Sequence, residues 1–342
     1  MKTSKYCLLA FLLLCLLPDA QAQLSQIGSF YRFNWQYANP AAVDKTFILS
    51  NGKYKMLLNA NHRQQWSNVQ GAPSTSFISF ENYVKTSSIR WGVSARRDRA
   101  GVFKNDGIIG NFCYFKQFTR SRSHIIHFGL NAGLISSRLN QDELRLADFG
   151  AADPASMQNG KMFLDLGAGA LYRFDRWFYA GISVPQLLAA NVVNQSEGGF
   201  IAADRRKNFP TYLLLGGYIE LPGKGAVRSD TWSAEPSLWV RYLPGYEYFT
   251  VIDRLPVSAD LDIRLNIPIS FEGGIWVNTG IGTNKTARLG IGYDSELPLI
   301  RSSSNTKSGE KRMDIGFNFE FPFGKMIYPL GQTFGVSVKF AG

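Results

Sequence analysis

His62, His124 and His127 are the residues of this chain best suited to proton transfer or metal ligation. His124 and His127 stand three apart. On a β-strand that spacing sends them to opposite faces, so they cannot offer two imidazoles to one metal; both read as interior or interface residues. Asp260 and Asp262 stand two apart, which puts two carboxylates on one strand face. Such a pair can share acid–base work. With Arg264 on the same face, however, the pair reads as charges that line a wet interior. Gly280-Ile281-Gly282 and Gly290-Ile291-Gly292 imitate part of a dinucleotide loop but lack the helix start that holds a phosphate. There is no Gly-x-Ser-x-Gly elbow and no Walker loop. A lipase-like Ser–His pair would draw on His62 or His127, and no serine is singled out by its spacing. The chain therefore reads as a non-enzyme, with no catalytic residue, no cofactor and no metal ligand assigned.

The elements that carry these residues show a period of two. From Asp314 to Phe321, from Asp260 to Ile267 and from Thr333 to Phe340, every second residue is apolar and the others are polar or Gly. Strands place alternate side chains on opposite faces, so each run has one apolar and one polar face. The 25 Phe, 15 Tyr, 7 Trp and 33 Gly fit strands. A soluble sandwich would turn the apolar face inward; a transmembrane barrel turns it to lipid. Charge decides between them. Asp260, Asp262 and Arg264 share a face, as do Asp314 and Glu320, and Asp165 and Arg173 flank Gly167 and Gly169. Such faces suit a barrel lumen where opposite charges pair across strands.

The predicted fold is all-β, a transmembrane antiparallel barrel of 14 strands at 54–65, 75–84, 89–98, 107–118, 123–138, 162–174, 177–184, 208–221, 234–242, 259–267, 269–278, 287–293, 312–321 and 333–340. Long connections at 139–161, 185–207 and 243–258 alternate with tight ones at Lys85–Ser88, Thr119–Arg122, Asp175-Arg176 and a bend at Pro268. Short turns on one side and long loops on the other fit an outer-membrane barrel. The long 294–311 connection breaks the rule.

The N-terminus carries an export signal. Lys2 and Lys5 precede an apolar Leu8–Leu17 core and the small-x-small site Ala20-Gln21-Ala22. The core is too short for a membrane-spanning helix. The domain reading is 1–22 signal peptide, 23–53 a plug or rim segment and 54–342 the barrel. Phe30, Tyr31, Phe33, Trp35 and Tyr37 make the second of these too aromatic to float free. Cys7 and Cys15 leave with the signal, so Cys113 remains without an intramolecular partner. The formal net charge is +11. In an exported protein this points to outer-membrane lipid, lipopolysaccharide or a protein partner, and not to nucleic acid.

A further set of motifs carries a resemblance. Asn39-Pro40-Ala41 is followed by Arg63-Gln64-Gln65-Trp66, by Gly71-Ala72-Pro73-Ser74-Thr75 and by Asp98-Arg99-Ala100-Gly101. Asp148, Asp153-Pro154 and Gly181-Ile182-Ser183-Val184-Pro185 come later. In order and spacing the chain resembles the PorP/SprF family of type IX secretion system membrane proteins, along nearly all of its mature length. The family's usual Asn-Pro-Ala-Tyr-Ala-Gly is here Asn39-Pro40-Ala41-Ala42-Val43-Asp44, and the chain ends Phe340-Ala341-Gly342 where barrels usually end on an aromatic residue.

The resemblance implies an outer-membrane barrel accessory to type IX export, working with ring lipoprotein and periplasmic components on specific secreted cargo, gliding adhesins among them. A small-solute channel or lipid transporter, and a secreted sandwich-type adhesin, are the alternatives. The structural or partner-contact candidates are Asn39, Pro40, Arg63, Trp66, Pro73, Asp98 and Gly101. By parity Arg63 points into the lumen with Asn59 and Asn61. Trp66 is placed at the membrane interface and Pro73 in a turn. Asp98 is placed beside Arg90, Arg96 or Arg63.

Overall fold

The computed structural model describes residues 29–49, 54–84, 87–118, 123–139, 161–191, 209–221, 232–242, 257–270, 273–283, 286–295, 311–322 and 332–342. Fourteen antiparallel strands close into a barrel. They are β1 (Met56–Gln64), β2 (Ser74–Val84), β3 (Ile89–Ala100), β4 (Phe103–Gln117), β5 (His124–Leu139), β6 (Lys161–Phe174), β7 (Phe178–Asn191), β8, β9 (Trp232–Tyr242), β10 (Val257–Ser270), β11 (Gly273–Gly282), β12 (Thr286–Asp294), β13 (Arg312–Pro322) and β14 (Thr333–Ala341). Strand β8 has two segments, Thr211–Gly217 and Ile219–Leu221, which pair with successive stretches of β9 on either side of Tyr218.

Each strand pairs with its sequence neighbours, and β14 closes the ring on β1 from Leu57↔Ala341 to Gln64↔Phe334. Gly342 extends this seam: its carbonyl accepts the Lys55 and Met56 amides at 2.8 and 2.9 Å. Ala341 and Gly342 are thus part of the closure, which pairs the first strand with the last.

The faces are inverted relative to a soluble protein. Along β10, Asp260 and Asp262 are 0% and 1% exposed while Leu261 and Ile263 are 49% and 40% exposed. The same holds for Phe317 and Phe340 outside, against Asp314 and Lys339 inside. An apolar exterior around a charged interior is stable only against lipid. A sandwich-type adhesin would show the reverse, so that alternative falls.

Several strand boundaries differ from the sequence-based expectation, two of them at prolines. The bend at Pro268 is not a turn: β10 runs through it to Ser270, with a register shift between Pro268 and Ser270 that absorbs the missing amide. Likewise β7 does not stop at Val184 but passes Pro185 to Asn191, and its partner β6 shifts register between Leu166 and Ala168. Gly167 sits in that shift, where a Cβ would lie 2.4 Å from the Pro185 carbonyl oxygen. Residues 296–310 of the 294–311 connection, the loop motifs Asp148 and Asp153-Pro154, and the expected signal segment 1–22 lie outside the described residues.

Candidate functional site

The charged inner faces are cross-linked by ion pairs. Arg288 on β12 holds Asp260 at 2.6 Å and Asp262 at 3.1 Å on β10. Arg241 on β9 takes the other Asp260 oxygen. Arg264 on β10 reaches Asp314 on β13 at 3.3 Å, and Trp276 donates its indole N–H to Asp314 at 2.7 Å. Arg312 clasps Asp294, and Arg63 holds Glu320. In a dry lumen such pairs are the condition for burying charge at all. The inner face foreseen for Asp260, Asp262, Arg264, Asp314 and Glu320 is thus the face that carries the network.

Residues 29–49 run through the middle of this ring. They form a 3-10 turn (Ser29–Phe33) and two short helices, α1 (Trp35–Ala38) and α2 (Lys45–Leu49). Contacts radiate to the whole wall. Arg32 donates to the Glu235 carbonyl and to Ser237 on β9, both at 2.7 Å. Asn34 meets Asn61 on β1 at 2.9 Å, and the Ser183 hydroxyl of β7 donates to the Ala38 carbonyl at 2.6 Å. Asp44 pairs with Lys339 on β14 at 2.6 Å, Lys45 with Glu235 at 2.6 Å, and Arg312 of β13 reaches Thr46 at 2.8 Å. An apolar cluster joins Tyr31, Trp35, Ala38 and Ala41 to Leu171, Tyr212, Leu214 and Trp239. At the other side the rings of Phe47, Tyr83, Phe115 and His127 stack in sequence, 5.3, 5.4 and 5.5 Å apart.

Burial and neighbouring charges together shift the titrating groups of this inner segment. Burial and repulsion from Arg264 push the Lys45 ammonium down to about 8, against the pull of Glu235. Burial alone would raise the Asp44 carboxyl, but Lys339 and Thr46 outweigh it and hold the group below its usual range.

Asn39 and Pro40 lie at the centre of the contact. The Asn39 amide donates to the Ala170 and Ile182 carbonyls, each at 3.2 Å, and its oxygen accepts the Ala41 amide at 2.8 Å. The Pro40 carbonyl accepts Arg90, which also pairs with Glu81 at 3.0 Å. The wall here has no side chains to spare. A Cβ at Gly129 would stand 2.2 Å from the Ala41 nitrogen and the Pro40 carbonyl carbon, and one at Gly169 would stand 2.2 Å from the Asn39 oxygen. Cys113 is fully buried beneath the Ala41 carbonyl.

The other sequence candidates sit elsewhere. Arg63 points inward as parity requires and, beside Glu320, meets Gln65 at 3.1 Å. Asp98 accepts Thr75 at 2.8 Å and pairs with Arg96, not with Arg63 or Arg90. Trp66 is not a strand residue: with φ +52° it opens the β1–β2 turn, half-buried, its amide 3.3 Å from the Thr333 hydroxyl. Pro73 closes that turn, its carbonyl accepting Gln65 at 2.8 Å. Gly101, at φ +56°, donates its amide to Gly71, at φ +73°, at 2.7 Å, which ties the β1–β2 and β3–β4 turns together. The seven candidates thus form no single site. Asn39 and Pro40 dock the inner segment, Arg63 joins the ion-pair ring, and the remaining four shape adjoining turns. His127 is buried inside, while His124 lies on the outer side against Tyr172 at 2.8 Å.

The tie between turns carries a test. Gly101→Val places a β-branched residue in the left-handed region, at a cost of about 1–2 kcal/mol. A lower urea midpoint in detergent is expected, with Gly107→Ala, in ordinary strand conformation, nearly unchanged.

No curated protein matches the chain. Among solved structures, the outer membrane protein Omp33 of Acinetobacter baumannii is 7% identical over 84% of this chain and 98% of its own, with a TM-score of 0.39. The toluene transporter TodX of P. putida is 8% identical over 94% and 95%, at 0.45. A TodX deltaS2S3 mutant, a monoaromatic hydrocarbon channel, is 9% identical over 92% and 94%, at 0.49. None of these likenesses bears on what this chain binds. The model of type IX secretion system membrane proteins PorP/SprF, in contrast, matches residues 20–340. With its closed barrel of lipid-facing strands, this outer-membrane chain belongs to the PorP/SprF family of type IX secretion system membrane proteins.

Proposed function

We propose that this barrel is a non-enzymatic accessory of type IX secretion that supports export or surface display of specific cargo, and that residues 23–53 act as its plug. The observation that carries this reading is the family match over residues 20–340 in a barrel whose lumen holds its own chain. The contacts of Asn39, Asp44 and Lys45 reach β6, β7, β9 and β14, so the inner segment braces the ring from within. A braced, filled barrel suits a docking platform for ring lipoprotein, periplasmic components and cargo better than a conduit. Cleavage after Ala22 would release the segment to enter the lumen. Deleting the gene is expected to abolish surface display of a subset of type IX cargo, gliding adhesins among them, while outer-membrane permeability stays as it was. Normal display of every type IX cargo would refute the role.

A further inference from the structure

Between the inner segment and the wall of β3–β6 lies a cavity of about 140 Å³, towards the barrel end away from Gly342. That is room for about five waters, at the ~30 Å³ each occupies in the liquid. Its floor is Gln36 and Tyr37, and its wall includes Asn105, Asn111 and Asn131. Gln36 is 1% exposed and Asn111 6% exposed. Among the described residues, neither polar atom of the Gln36 amide has a hydrogen-bond partner, nor has the side-chain oxygen of Asn105 or Asn111. A buried amide left unsatisfied costs about 1–3 kcal/mol. Three of them turned to one cavity are better explained by a ligand than by packing.

The chemistry of the lining narrows the ligand. The charges around the cavity are already engaged: Asp98 with Arg96, Asp106 with Arg97 at 2.6 Å, and Asp165 with a partner of its own. The amides of Gln36, Asn105 and Asn111 are neutral, each able to donate and accept. An extended peptide is recognised along a strand edge, and the wall strands β3–β6 are paired on both sides. The cavity is also floored by the inner segment, so it takes a compact unit and not a passing chain. We propose that it binds a neutral, hydroxyl-rich ligand, one sugar ring, either as a free monosaccharide or as the end of a glycan.

The test is calorimetric titration of the full-length protein in detergent with glucose, galactose, mannose and N-acetylglucosamine, and with a tetrasaccharide of each. Saturable binding of at least one sugar is expected. The Gln36→Leu, Asn111→Leu double variant should weaken it by roughly tenfold or more. The same variant removes unsatisfied buried amides, so its unfolding midpoint should hold or rise while its heat-modifiable gel mobility persists. Single Asn111→Leu, in a strand with outward neighbours untouched, gives the second reading if Gln36→Leu disturbs the inner segment. A tetrasaccharide that binds as well as its monomer identifies a glycan end; binding of the monomer alone identifies a free sugar. No saturable binding by any sugar, binding unchanged in the variants, or a variant that loses stability without losing binding would overturn the proposal. So would binding of glycylglycine amide or inorganic phosphate in place of the sugars.

Discussion

Arg288→Leu is expected to lower the unfolding free energy by about 3–5 kcal/mol, the usual cost of stranding a buried charge. The residue is 3% exposed and is the group that bridges Asp260 and Asp262. Asp260 keeps Arg241. Asp262 keeps no direct side-chain hydrogen bond from Arg288, and its second oxygen already has no partner among the described residues. The loss should therefore concentrate on Asp262, and adding Asp262→Leu to Arg288→Leu should restore most of it, since an apolar pair replaces an ion pair at little net cost. Urea titration of the detergent-folded barrel, followed by gel mobility, measures both variants. A single variant within about 1 kcal/mol of wild type would mean that the lumen is wet enough to screen the pair.

Gly129→Leu is expected to dislodge the inner segment without opening the barrel. A side chain there would enter the space of Pro40 and Ala41, which are backbone and cannot rotate away. Overpacking of this kind costs about 1–3 kcal/mol where the neighbour can yield. The wall is tied by β4–β5 and β5–β6 ladders, so the segment should yield first. Cys113 reports on it, because it is fully buried beneath Ala41 and is the one cysteine after residue 22. In native wild type it should resist a small maleimide; in Gly129→Leu it should label at least about tenfold faster, for a cost above 1.4 kcal/mol. Gly110→Ala, where a Cβ would meet only the Ala132 oxygen at 3.7 Å, is the control and should stay protected.

Much of this was legible in the sequence because a strand has only two faces. Parity alone put Asp260, Asp262, Arg264, Asp314, Glu320 and Arg63 on one side and their apolar neighbours on the other, and the structure keeps every one of them inside. Parity cannot choose partners. Arg63 meets Glu320, 257 positions away, only because β14 closes on β1, so no local rule could prefer it over Asp98. Prolines misled for a physical reason: Pro268 and Pro185 look like strand ends until a bulge lets the ladder pass them. The docking of Asn39 was hidden altogether. Its partners are backbone carbonyls of β6 and β7 above Gly169 and Gly181, and glycine shows no preference for a partner in sequence. The one sign in the sequence was glycine on the polar face at 167 and 169, which permits close packing against a plug; in the structure Gly169 and Gly129 are the ones that lie against Asn39, Pro40 and Ala41.

A lumen filled by residues 29–49 predicts a platform rather than a pore. Planar-bilayer recording of the purified wild-type barrel, beside Gly129→Leu, tests it most directly. The expected result is a silent wild type and intermittent conductance in the variant. A large, steady, solute-selective conductance in wild type would contradict the account and return the protein to the channel reading.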